Sequence, residues 1–167
     1  MLWTPLKTEK HREKTLPQVV FIDPDWFFYH HKKNWFEFNH SDEAEKLYQR
    51  ATSIRIPQAD NGEKREMEYV FLYEKFDHMK LVSESLPLHR GSSWTLRKNI
   101  INLSVPFVNS RYDKRAGKII IGNLKHIIFG NKNHKMTKER CEEFFNDESN
   151  FVLEDADEDF LLAEDLF

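Results

Sequence analysis

The 167-residue chain has one cysteine, five glycines and six prolines, and beyond Arg140 it has no lysine or arginine. Each scarcity excludes something. A single Cys141 cannot close an internal disulfide, and no apolar run is long enough for a signal peptide or a membrane span, so a cytoplasmic protein with no membrane partner is expected. The same Cys141 sits in a predicted helix and reads as a buried thiol, not as half of a Cys-His nucleophile pair. So few glycines leave little for a phosphate-cradling loop; Gly117 and Gly122 fall inside a helical pattern and read as close-packing positions. His30 and His31 are adjacent, diverge by about 100° on a helix and cannot share one metal ion. Asp23 and Asp25 read as a helix cap and a first-turn acid. No catalytic residue, metal ligand or cofactor is assigned, and a non-catalytic binding protein is expected.

What is present is an uneven distribution of charge. The formal net charge is −3, yet residues 1–141 hold all 25 bases and only seventeen of the 28 acids, a net of +8, while residues 142–167 hold eleven acids and no base. A basic body with an acidic end attracts polyanions, and its own end is the nearest one. The chain therefore divides into a body over 1–150 and an acidic tail over 151–167. Within the tail, Phe160, Leu161, Leu162, Leu166 and Phe167 are set among seven acids. Two readings stay open: a solvating end that aids solubility, or an apolar-anchored acidic segment for a partner's groove, with Leu162 and Leu166 one helical turn apart.

The body alternates between helical and extended patterns. Asp23-Pro24 opens a helix over about 24–34, whose aromatic run places Trp26, Phe27 and Trp35 in the core. Ser41 caps a second helix, with acids in its first turn and bases near its end. Residues 54–94 carry β-branched and aromatic runs between turn signals at Asn61-Gly62, Phe76-Asp77 and Pro87. They read as three strands, the last two a hairpin. The segment around Ile100–Val108 adds an edge strand at most, because Pro106 is barred from a central one. Ile120, Leu124, Ile127 and Ile128 are spaced for a helix that stops at Gly130, and a last helix starts at Thr137. The expected fold class is α+β, a small antiparallel sheet covered by N- and C-terminal helices.

Two stretches resemble known families. Residues 9–36, with Lys10, His11, Arg12, Lys14, Thr15, Leu16, Asp23, Pro24 and Trp26, resemble the small domain at the C-terminus of exodeoxyribonuclease X-type proteins and of many stand-alone phage proteins. Glu9 and Glu13 stand where that pattern has glycine. Patches as far as residue 151 resemble a phage-encoded group with the same opening. This resemblance implies a phage or prophage origin and a connection to DNA metabolism, and carries no catalytic residue over. The acidic ending resembles the tails of single-strand DNA-binding proteins, which implies recruitment of a replication or repair protein through Phe167.

Bases and aromatics mingle in two further places. Arg90, Trp94, Arg97 and Lys98 surround a Gly-Ser-Ser turn, and Arg111, Lys114, Arg115 and Lys118 follow as a second cluster. With Lys10, His11, Arg12 and Lys14 they form the candidate nucleic-acid surface, Trp94 being either a stacking platform or a core-edge residue. The expected function is a phage-type DNA-metabolism accessory protein that binds single-stranded nucleic acid and recruits a partner through its tail. The alternative is a phage protein that inhibits a host defence complex of CRISPR type, or a replication complex, by protein contact. A third reading is an enzyme whose site the sequence does not display. The +8 body favours the first, since a DNA mimic needs an acidic folded surface. Against it, no five-strand barrel pattern of the OB type is evident.

Overall fold

The computed structural model describes residues 1–36, 40–88, 93–108 and 113–153. Five helices, α1 (Leu16–Ile22), α2 (Pro24–Lys32), α3 (Ser41–Ala51), α4 (Lys114–Phe129) and α5 (Lys138–Asn146), accompany five strands. β1 (Ile54–Arg55) and β5 (Ile100–Ile101) form a two-stranded ribbon. β2 (Arg65–Leu72), β3 (Lys75–Ser83) and β4 (Ser93–Lys98) form an antiparallel sheet in the order β3-β2-β4. The fold is α+β. No helix of the described residues is long and apolar enough to cross a membrane.

Local sequence explains most of these elements. Thr15 caps α1 in a capping box with Gln18, followed by Pro17 in the first turn; the sequence reading left this helix out, since its seven residues show too little periodicity. Pro24 opens α2 as expected. Asp23 occupies the N-cap position but makes no capping bond, and its carboxylate is engaged elsewhere. α3 begins at Ser41, with His40 and not Ser41 in the cap position. α4 is capped by Asp113, which accepts from the Ala116 N–H, and stops at Gly130 in the left-handed region. Thr137 caps α5.

The hairpin turns at Tyr73-Glu74, three residues before the expected Phe76-Asp77. Tyr73 and Glu74 both take positive φ, +50° and +66°, so Leu72 pairs with Lys75 and Phe76 already belongs to β3. A two-residue turn with both φ positive matches the natural twist of the flanking strands, and here it forms without glycine; Asp77 is the extra residue of a bulge, since Val70 pairs with His78 and Phe71 with Phe76. β4 was not anticipated, because its Ser-Trp-Thr-Leu-Arg-Lys sequence follows directly on the Gly-Ser-Ser turn signal.

One hydrophobic core joins both layers. α1, α2, α3 and α5 pack together, α4 lies on β3, and α2 touches both α3 and α4. Trp26 and Phe27 are buried in this core as expected, whereas Trp35 is 46% exposed; it packs edge-on against Trp26 from outside. Tyr69 is buried in the middle of β2; its hydroxyl donates to the Ile100 carbonyl and accepts from the Asn102 N–H, tying the ribbon to the sheet. Phe151 bridges to Ile54 and the Val152 N–H donates to the Ser53 carbonyl, so the packed body extends through Val152. Gly117 is a close-packing position, with Pro24 Cγ 3.2 Å from where its Cβ would be. Gly122 has open space instead, so its expected role is corrected. Cys141 is buried, and burial pushes its thiol up to about 12.

Candidate nucleic-acid interface

The candidate residues separate according to strand alternation and loop closure. On β4, Trp94, Leu96 and Lys98 are opposite Phe71, Tyr69 and Met67 of β2. Successive side chains of a strand point to opposite faces, so Arg97 looks away from its neighbours Leu96 and Lys98. There it joins a buried cross-strand set: its Nε–H donates to Glu68 at 2.8 Å, and its two terminal nitrogens donate to the carbonyls of Leu86 and Pro87. Lys80 approaches the same carboxylate from β3 at 3.9 Å. Arg97 is thus a structural residue, and its place among the phosphate-contacting bases is corrected.

Trp94, by contrast, is 59% exposed on the outer strand of the sheet, its ring centroid 4.7 Å from that of Phe71. It borders a groove of about 700 Å³ between the face of β4 and the short 3-10 turn Val105–Phe107, where Pro106 and Val108 form the opposite wall. Lys98 and Glu74 are the charged residues on its rim. Part of the Trp94 ring thus rests on Phe71 and the rest is open to solvent.

Bases of the N-terminal loop and of α4, far apart in the chain, are brought together in a second place. Backbone bonds from Leu6 N–H to the Lys14 carbonyl and from Glu13 N–H to the Leu6 carbonyl close the loop before α1. That loop lies against the start of α4, so Lys10, Lys14, Lys114 and Lys118 line one cleft of about 260 Å³ with Asp23 and Asp25. Lys114 and Lys118 share a helix face, being one turn apart. Arg115, on the same turn, donates to the Phe76 carbonyl at 3.0 Å. Phe76 in turn packs edge-on against Phe71, beneath Trp94. Arg12 is exposed on the loop.

His11 is corrected as a surface contact. It is buried, its Nε2–H donates to Asp23 at 2.9 Å, and its ring stands edge-on to Trp26 at 4.8 Å. Burial lowers its pKa, against the pull of Asp23. The Asp23 carboxylate also holds Lys10 at 3.0 Å. Burial alone would raise Asp23, but hydrogen bonds from Asp25, Lys10 and His11 outweigh it and hold the carboxyl well below its ordinary range. Asp25 is pushed the other way, to about 6, by burial and by the neighbouring Asp23. Its Oδ2 is buried and lacks a hydrogen-bond partner among the described residues. The cap-and-first-turn reading of these two acids missed this pair. The one available signal was that both follow a loop rich in bases.

His30 and His31 diverge as expected, His30 stacking on Trp26 and His31 on Tyr48. Among the described residues no cluster of three or more His, Cys, Asp or Glu could hold a metal ion. Arg90, Arg111, Phe160, Leu161, Leu162, Leu166 and Phe167 lie outside the described residues. No known protein family, no curated protein and no solved structure matches this chain.

Proposed function

We propose that the protein binds single-stranded nucleic acid as a DNA-metabolism accessory factor, with the acidic segment 154–167 competing for the basic surface and serving to recruit a partner. One observation carries this reading: Trp94, exposed on the outer strand above Phe71, offers an open aromatic face beside a groove with Lys98 on its rim. Base stacking on such a platform contributes about 1–3 kcal/mol per base and tolerates any sequence. Lys14, Lys114, Lys118 and Arg12 supply further positive surface for the backbone. A second reading, a contact that inhibits a host defence or replication complex, is favoured by the groove's apolar walls at Leu96, Val105, Pro106 and Val108, which suit a peptide's side chains.

Titration of full-length protein with fluorescent oligothymidylate over a range of salt concentrations tests the first reading. The native protein should bind, and its affinity should fall steeply as salt rises, because phosphate contacts release counterions. Trp94→Ala should weaken binding by about 1–3 kcal/mol, with little change in melting temperature because the ring is mostly outside the core. Equal affinity of the two proteins, or no binding at low salt, would reject the proposal. Trp94-dependent capture of a purified replication or defence complex in the absence of oligonucleotide binding would assign the groove to the second reading.

A further inference from the structure

The cleft between the N-terminal loop and α4 has more positive charge than its own acids neutralise. Lys10 is spoken for by Asp23, but Lys14, Lys114 and Lys118 make no ion pair among the described residues. The groups facing the cleft are Lys10, His11 and Lys14 from the loop, Asp23 and Asp25 from the start of α2, and Lys114 and Lys118 from α4. With His11 neutral, they sum to +3 when Asp25 is protonated and +2 when it is ionised. Three unpaired ammonium groups around a small concavity repel one another unless an anion sits among them. Beneath them the carboxyl of Asp25, 2% exposed, keeps one oxygen without a partner, which is costly in isolation and is eased by the surrounding positive field.

From this arrangement we infer that the cleft is a receptor for a phosphate monoester, held by Lys14, Lys114 and Lys118, whose binding is coupled to protonation of Asp25. The charge count selects the monoester: a dianion matches +2 to +3, whereas an internal phosphodiester brings a single charge. A cleft of about 260 Å³ has room for the phosphate and part of the attached sugar, not for a whole oligonucleotide. A dianion placed over Asp23 and Asp25 disfavours two carboxylates, so Asp25 takes up a proton as the ligand enters. By linkage protonation of Asp25 favours the ligand, against the loss of the monoester's own second charge below about pH 6. The group could belong to the end of a nucleic-acid strand or to a free nucleotide. The cleft is distinct from the Trp94 groove and does not depend on it.

The test compares oligothymidylate with a 5′-phosphate, a 3′-phosphate or neither, using full-length protein at pH 5.5 and 7.5, with adenosine monophosphate and inorganic phosphate as separate thermal-shift ligands. A strand end as the source predicts about tenfold tighter binding of one phosphorylated oligonucleotide, the equivalent of one charge-assisted hydrogen bond. This increment should be lost in the Lys114→Ala/Lys118→Ala variant and retained in Trp94→Ala. A free nucleotide as the source predicts instead a lysine-dependent thermal shift with adenosine monophosphate and no increment at strand ends. Asp25→Asn should keep the binding and favour pH 5.5 over pH 7.5 less than the native protein does, the ionisation of the phosphate and of His11 being common to both; an identical pH ratio in the two proteins would remove the protonation step. Equal affinity for all three oligonucleotides together with no thermal shift from either small ligand would overturn the inference. Loss of oligonucleotide binding in Trp94→Ala alongside that outcome would leave the proposed function standing while removing this site.

Discussion

At the scale of single residues, the N-terminal loop holds a side chain where its backbone favours none. Glu13 has φ +69°, in the left-handed region, at one of the two positions where the resembled pattern has glycine. The closure of the loop through Leu6 and Lys14 imposes that conformation. An L residue with a Cβ pays about 1 kcal/mol there, partly offset by glycine's greater freedom in the unfolded chain. Glu13→Gly should therefore leave stability unchanged or raise it by up to about 1 kcal/mol, as chemical denaturation would show; a clear loss would mean that the Glu13 side chain makes a contact of its own. Asp25 gives a prediction of opposite kind. Its folded pKa, about 6, lies above the ordinary 3.8, so its contribution is full at low pH and is lost as pH rises through 6. His11, lowered by burial, acts in the reverse sense over the same range, so the native profile mixes the two. Asp25→Asn removes one of them. The stability difference between variant and native protein should grow in favour of the variant between pH 5 and pH 7, by roughly 1–3 kcal/mol. A difference constant across that range would mean that Asp25 does not titrate there.

At the scale of elements, β4 decides which bases are free. Its two-residue period puts Trp94 and Lys98 on the groove and turns Arg97 onto the buried carboxylate of Glu68, which Lys80 reaches from the surface. As a sequence, Arg97-Lys98 looks like one basic patch, and only the strand separates the pair. Arg97→Ala should destabilise the fold by about 1–3 kcal/mol, since the buried Glu68 carboxylate loses its close partner and keeps only the more distant Lys80. If the melting temperature barely moved while oligonucleotide affinity fell, Arg97 would belong to the interface after all. The other elements were legible where local signals are strong. α4, with its apolar spacing from Ile120 to Ile128 and its stop at Gly130, is an example, and so is the β2-β3 hairpin. The turn inside that hairpin was not legible, because Tyr73-Glu74 lacks the Asn or Gly that announces such a turn.

At the scale of the whole molecule, charge is the dominant feature. Residues 154–167 hold seven acids and no base, so removing them shifts the formal net charge from −3 to +4. If that segment competes for the basic surface, the truncated protein should bind oligonucleotides several-fold more tightly at low salt, and the difference should vanish at high salt as screening shortens the reach of both. Equal affinities at low salt would assign the segment to solubility alone. The lysine cleft would also respond, since Lys10, Lys14, Lys114 and Lys118 line it together.

By itself the sequence determined the fold class, most helix boundaries, the burial of Trp26, Phe27 and Cys141, and the contrast between a basic body and an acidic end. These follow from periodicity, capping residues and composition, which are local or additive quantities. Only the tertiary structure decided which bases act together. Lys10 and Lys14 lie about a hundred residues before Lys114 and Lys118, and no local pattern encodes that the closed loop rests on the first turns of α4. Likewise, Asp23 and Asp25 read locally as helix-start residues. Their unequal proton affinities arise because burial and the neighbours Lys10 and His11 act on two carboxylates that must share one small space.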